Sequence, residues 1–504
     1  MLLSVVHRLL PVASGIALLA LAGCTDRFEE INSDPTKTSE ASPEMLFARA
    51  LKYGSLYDND QQVGEHLHAN MWVQYFANST PGFSTDRYES NDQWATTFWN
   101  SFYSGYGMDL QQAIRQVQGK PGAVNRLSQA RIWRAFLFQR ITDYWGDVPY
   151  FSAFEGAAGQ VHPPYDRQQA IYLDLLRELQ DAAATLNDSQ NDSFGASDLL
   201  YANPGAAFPA ASVAEINQRW RRFAHSLRLR TAMRLAAAYP SLAEQHVREA
   251  LAAGVMTSQR ESAIMKNTGG SIRINQNPLA VVLGFGDCRI SATLIEYLTR
   301  YHDPRLPIFA DAVSESNPAR VGLPNGLSAT QLTLREYAPA SFSQAGSRYR
   351  SITNDQNLLT YAEVCFLRAE TCLRGWDASG SAEQWYNAGV REALALAGIT
   401  DPHVAASYLQ EPDVRFMPAH ALEQIITQKW LSLFGHNGFE AYAEYRRTGF
   451  PVLQAVRNPG ETNGQVPRRL CYPRAEQRLN PTAYYNALAQ QGPDAMTTPV
   501  WWNK

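Results

Sequence analysis

The sequence has little excess charge of either sign. Its 44 lysines and arginines face 48 aspartates and glutamates, for a net charge of −4 over 504 residues. No block of like charge forms a basic or acidic tail. Phosphate backbones are held by clustered basic surface, so nucleic acid is excluded as the main partner. Cysteine is scarce as well: Cys24, Cys288, Cys365, Cys372 and Cys471 are the whole complement. None stand as C-x-x-C, which excludes a zinc knuckle and a thioredoxin-type site. H-E-x-x-H and G-x-S-x-G are missing. The glycine-rich "NTGGSIRINQN" at 267–277 lacks the Lys-Ser/Thr of a P-loop and follows no evident strand. No cofactor and no metal are implied. Beyond the N-terminus no run of about 18 apolar residues occurs, so no membrane span is predicted for the mature chain. What remains is a chain that is 45% hydrophobic, enough to bury a large core.

The N-terminus reads as an export signal. His7 and Arg8 precede an apolar stretch from Leu9 to Ala22, broken by Ser14 and Gly15, too short for a comfortable membrane span. It ends in Leu21-Ala22-Gly23-Cys24, which looks like a bacterial lipobox, a signal cut before a cysteine whose thiol is acylated. Residues 1–23 are therefore expected to be a lipoprotein signal peptide, with Cys24 as the lipid anchor. Two acyl chains give stable anchoring at roughly 0.8 kcal/mol per buried CH₂. Residues 24–42 are expected to be a flexible tether, and 43–504 a single helical domain.

The rest reads all-α. Ser42-Pro43-Glu44 looks like a helix start, with Ser42 as cap and Pro43 in the first turn. Leu137, Phe138, Ile141 and Trp145 recur at helical spacing up to Gly146. Trp220, Phe223, Ala224 and Leu227 form one face, and Tyr361, Cys365, Ala369 and Cys372 a second. Leu422, Ile425, Ile426, Trp430, Leu433 and Phe434 form a third. Cys365 and Cys372 would lie about 10 Å apart on one helix, too far for a disulfide. Small residues such as Ala224, Ala369 and Ala388 suit closely stacked helix pairs. Long loops rich in Gly, Pro, Asn and Ser, at 187–213, 266–290 and 311–328, decorate this body.

Few motifs suggest chemistry. In "DYWGDVPY" (143–150), Asp143 and Asp147 flank an aromatic pair, and glycosidases use two carboxylates. Gly146 ends the helix between them, however, so Asp147 is expected to bond backbone amides in the turn. His66 and His68 fall on different faces of a helix and do not chelate together. Arg446 and Arg447 of "YRRTGFP" are expected to pin a helix C-terminus through its carbonyls and nearby carboxylates. No catalytic residue is assigned.

The segment 72–103 stands apart. It carries Trp72, Tyr75, Phe76, Phe83, Tyr88, Trp94, Phe98, Trp99, Phe102 and Tyr103 among Asn78, Ser79, Thr80, Asp86, Asn91 and Asp92. A sugar presents apolar C–H faces and a rim of hydroxyls, which rings and short polar groups match. Phe83, Tyr88, Trp94 and Trp99 are the candidate ligand-binding residues. Trp94 and Trp99, five apart, project differently from a helix, so one of them is expected to reach a ligand, and Trp94 is nearer the polar loop. The loop from Lys266 to Arg289 is the next place to look.

Several stretches, in order along nearly the whole mature chain, resemble a known family. They are "FEEINSDP" at 28–35, "DYWGDVPY" at 143–150, "WRRFAHSLRLR" at 220–230 and "DPRLPIF" at 303–309. "YAEVCFLRAE" at 361–370, "FEAYAEYRRTGFP" at 439–451, "RRLCYPRAEQRLN" at 468–480 and the terminal "WW" follow. The sequence is similar to the SusD/RagB-like nutrient-binding lipoproteins of Bacteroidetes, in the SusD-like branch. The resemblance implies a tetratricopeptide-like helix-pair scaffold anchored in the outer membrane, facing the cell surface. It implies a SusC-like TonB-dependent transporter as partner, over which the lipoprotein sits as a lid. The usual cargo is a glycan, though some relatives take peptides or other nutrients. An anchored helical glycoside hydrolase is the rival class, but no good acidic pair is nominated for it.

Overall fold

The computed structural model describes residues 41–57 and 59–503. The signal peptide, the Cys24 anchor and most of the tether lie outside the described residues.

From Pro43 onward the chain forms one compact unit. Its main helices are α1 (Pro43–Gly54), α2 (Asp92–Ser101), α3 (Gly107–Val117), α4 (Val124–Trp145), α5 (Gln168–Thr185), α6 (Val213–Arg234) and α7 (Pro240–Ala253). They continue as α8 (Tyr361–Leu373), α9 (Ala382–Leu396), α10 (Ala421–Leu433), α11 (Gly438–Thr448), α12 (Arg474–Leu479) and α13 (Pro481–Gln491). Successive helices pack in series: α3 on α1, then α4, α5, α6 and α7 each on the one before. A second group stacks α8 on α9, with α10 against both. This is the helix-pair stacking expected of a tetratricopeptide-like scaffold. Two short antiparallel ribbons, β1 (Phe76–Asn78) with β3 (Cys288–Ile290) and β2 (Ala263–Met265) with β4 (Gln356–Leu359), tie loops to the body.

Local chemistry sets the helix ends. The Ser212 hydroxyl accepts from Glu215 N, Thr360 from Glu363 N and the Asn437 side chain from Glu440 N, each satisfying an otherwise orphaned first-turn amide. Gly146 stops α4 with φ +82°, and a Cβ there would meet Gln491 Oε1 at 1.8 Å. Only glycine fits that turn. The core is aromatic: Trp72, Trp133, Trp145, Trp220, Trp430 and Trp502 are fully buried.

The two helix groups are joined by a buried ionic network. The Arg230 guanidinium forks onto Glu363, both contacts 2.7 Å, and Arg447 forks onto Glu370 at 2.7 and 2.6 Å. Arg234 reaches Glu440 and Glu444, both at 2.5 Å, and Lys429 bonds Glu440 at 2.9 Å. None of these eight side chains is more than 4% exposed. The i, i+4 spacing of Arg230 with Arg234, and of Glu440 with Glu444, puts each pair on one helix face. Four cations thus meet four glutamates from α6, α8, α10 and α11. Replacing one partner would leave a buried charge unmatched.

The carboxylates of "DYWGDVPY" belong to this framework. Asp143 is buried, accepts from Trp502 Nε1 at 2.9 Å and from the Tyr172 hydroxyl, and lies 3.5 Å from Arg234. Burial pushes its carboxyl up. Asp147 Oδ1 accepts from the first amide of α5, Gln168 N, at 2.8 Å, the backbone role expected of it. Arg446 donates to the carbonyls of Asp143 and Arg468 at 2.7 and 2.8 Å, so it ties a last-turn carbonyl of α4 to the segment after α11 rather than capping its own helix. His66 and His68 are both buried in the wide-turn helix Gln61–Asn70, where burial lowers their pKa values to about 3 and about 4. Among the described residues no cluster of His, Cys, Asp and Glu could hold a metal, all four cysteines are free, and no helix is long and apolar enough to cross a membrane.

Candidate functional site

The β1–β3 ribbon brings two loops together that are far apart in sequence. Register pairs Asn78 with Cys288, so residues 79–84 leave one end of the ribbon beside residues 284–287. Ser79 N donates to Asp287 O at 2.9 Å and the Thr80 hydroxyl to Asp287 Oδ1 at 3.0 Å. A third segment joins them. Arg289 Nε donates to Pro339 O at 2.8 Å, while its Nη1 donates to Gly286 O at 3.1 Å. Beneath lies a small separate core of Ala77, Leu323, Leu327 and Leu332, with Tyr337 and Phe342 against it.

The first loop is shaped by Asn78. Its amide nitrogen donates to Thr80 O at 2.8 Å and to Phe83 O, and its Oδ1 accepts from Thr80 N at 3.1 Å. Asp86 Oδ2 accepts from Asn78 N and Gly326 N, both at 3.1 Å. Burial pushes the Asp86 carboxyl up to about 6. These two buried side chains of the polar loop are thus engaged by backbone, that of the loop itself and, for Asp86, that of Gly326, and are closed to a ligand.

The four candidate rings are placed very differently. Tyr88 is 1% exposed. It follows the single turn Thr85–Arg87 with φ +63°, and this left-handed residue carries its ring inward. It lies beneath a cleft of ≈ 490 Å³ lined also by Tyr445, Gln454 and Arg468. Trp99, 4% exposed, sits in the core between Trp145 and Tyr103, with ring centroids 5.2 and 4.6 Å away. Tyr88, expected on an exposed loop, is instead a packed ring, and Trp99, the less favoured of the tryptophan pair, is enclosed. Trp94 and Phe83 are half-buried and meet edge to face, centroids 5.1 Å apart. The far side of Trp94 abuts His68 at 6.2 Å.

The ring the four candidates missed is Phe285. It is 47% exposed on the loop that β3 holds against residues 79–84. The Arg273 guanidinium lies 5.8 Å from its centroid. Thr80 and Asp287 supply a hydroxyl and a carboxylate on the same pair of loops, while Arg289 is buried and holds the loops together through backbone carbonyls. A half-exposed ring bordered by a few polar groups is the arrangement that takes the C–H face of a sugar while bonding its hydroxyls. The available signal was Phe285 standing alone between two glycines in "LGFGD", with no packing period around it.

A stacked-helix body thus carries joined loops with an open ring. The chain belongs to the SusD-like family whose description is "Starch-binding associating with outer membrane", matched over residues 35–473. No curated protein matches it. Among solved structures it is similar to a chitin-binding SusD homologue from Flavobacterium johnsoniae, 25% identical, with a TM-score of 0.79 over 92% of this chain and 98% of that one. It is also similar to a SusD homologue from Bacteroides ovatus, 28% identical, with a TM-score of 0.78 over 92% of this chain and 99% of the other. A Parabacteroides distasonis SusD homologue, 24% identical, shares the fold with a TM-score of 0.81 over 92% and 98%.

Proposed function

We propose that this protein is a lipid-anchored, surface-facing binding lipoprotein that captures an oligosaccharide and delivers it to a SusC-like TonB-dependent transporter, without chemistry of its own. The observation that carries the glycan reading is Phe285, open on the loops that also carry Thr80 and Asp287. Membership of a family described as starch-binding and likeness to a chitin-binding homologue support it. The carboxylates of the most enzyme-like motif are engaged, Asp143 with Arg234 and Trp502 and Asp147 with an α5 amide, which supports binding over hydrolysis.

Calorimetry with starch and chitin oligosaccharides tests the site. Phe285→Ala is expected to lower affinity for the bound glycan about tenfold or more, the size of an aromatic hot spot of roughly 1–3 kcal/mol. An unchanged affinity with the fold intact by circular dichroism would refute this placement. Cys24→Ala tests the anchor. The variant is expected to be released from membranes or left uncleaved, as membrane fractionation and the mass of the N-terminal peptide would show. Normal processing with retention on the membrane would overturn the lipobox assignment.

A further inference from the structure

A second cleft, unconnected with any sugar-like chemistry, opens along the first helix. Met45, Arg49, Lys52 and Tyr53 fall on one stripe of α1 that lines the cleft. Facing it are the loop carrying Leu199 and the segment after β2 carrying Lys266 and Ile274. Together they enclose ≈ 630 Å³, within the range of small-molecule sites. Met45, Tyr53, Leu199 and Ile274 give it apolar walls, and Met45 is 59% exposed.

Its charged lining residues are all cations: Arg49, Lys52 and Lys266. Arg49 is paired with Asp109, and Lys266 with Asp355 at 3.1 Å. Lys52 is different. Its ammonium donates to the neutral Asn267 Oδ1 at 2.7 Å, and no carboxylate partner for it is present among the described residues. Burial alone lowers its pKa to about 8. A partly desolvated ammonium on an apolar cleft gains most from a ligand that brings a negative charge on an apolar body.

We infer that this cleft is a binding site for small amphipathic carboxylates, with the carboxylate on Lys52 and the apolar body against Met45, Tyr53, Leu199 and Ile274. Arg49 and Lys266 add a positive rim that favours the anion and disfavours amines of the same shape.

The test is calorimetry on the whole chain with three probes that share one body: phenylbutanoate, phenylbutanol and phenylbutylammonium. Phenylbutanoate is expected to bind about tenfold or more tighter than the alcohol, as a charge-assisted hydrogen bond provides, and the ammonium weakest. Lys52→Met should abolish the preference for acid over alcohol while leaving alcohol binding in place. Ala48→Trp, which projects from α1 into the cleft, should abolish binding of both. Equal affinity for acid and alcohol in the parent protein would overturn the charge assignment. Binding that survives Ala48→Trp, or no binding by any probe, would overturn the site.

Discussion

Glu440→Gln is expected to cost about 3–5 kcal/mol of stability, read as a fall in the midpoint of urea unfolding. The carboxylate faces Arg234 at 2.5 Å, Lys429 at 2.9 Å and Arg230 at 3.5 Å. A neutral amide would leave those buried cations short of one charge where water cannot replace it. Glu244→Gln is the comparison. Its partner Arg248, at 2.7 Å, has a side chain 52% exposed, and such a pair contributes at most about 1 kcal/mol. If the two variants lose equal stability, the network is not what joins the helix groups.

The same carboxylates predict acid sensitivity. Burial pushes Glu440 up, but Arg234, Lys429 and Arg230 outweigh it and hold the carboxyl at about 2, below its ordinary 4.5. A depressed carboxyl contributes stability that is complete above about pH 4.5 and is lost as pH falls toward 2. His66, lowered by burial from 6.5 to about 3, adds to that loss from about pH 6.5 downward. Asp60 works the other way. Burial raises it to about 7, so its contribution is complete below about pH 3.8 and is lost as pH rises through 7. Stability measured against pH should fall on the acid side, and Glu440→Gln should flatten the fall below pH 4.5.

Trp99→Ala is expected to cost about 3–5 kcal/mol, the price of a large cavity among packed rings. Its indole is enclosed by Trp145, Tyr103, Tyr165 and Tyr472. Trp94→Ala should cost less, because that ring is half-buried at the edge of the core, with Phe83 and His68 as its ring neighbours. Far below its unfolding midpoint, Trp99→Ala should bind glycan with the parent's affinity. A selective loss of affinity with stability unchanged would return Trp99 to the binding surface.

Helices were legible because their period and punctuation are local. Pro43 opens α1, and Gly146 closes α4 where the apolar recurrence stops. The i, i+5 separation of Trp94 and Trp99 correctly splits them, one half-buried and one enclosed. Tyr88 was misplaced because its polar neighbours suggest a solvated loop, whereas one left-handed residue turns the ring inward. Nothing in "TDRYES" announces that backbone angle. The ionic network was hidden for another reason. Its members lie in "WRRFAHSLRLR", "YAEVCFLRAE" and "FEAYAEYRRTGFP", with Arg234 just past the first and Lys429 apart on α10, and each charge alone looks like a solvated helix face. Only their convergence, a long-range property, shows that these charges are buried together. Phe285 lies in the loop from Lys266 to Arg289, which ranks second by sequence because a three-residue ribbon between distant segments leaves no periodic trace of what it joins.

That ribbon makes the two joined loop tips a detachable cassette. The pairing of Phe76–Asn78 with Cys288–Ile290 is complete before either tip begins, and Asn78 folds the first tip through its own amide. Residues 80–84 and 284–286 can therefore be lengthened, shortened or exchanged while the ladder and the charged interior stay as they are. A library randomised at those two tips alone, on an otherwise constant chain, is a direct route to binders with new sugar preferences.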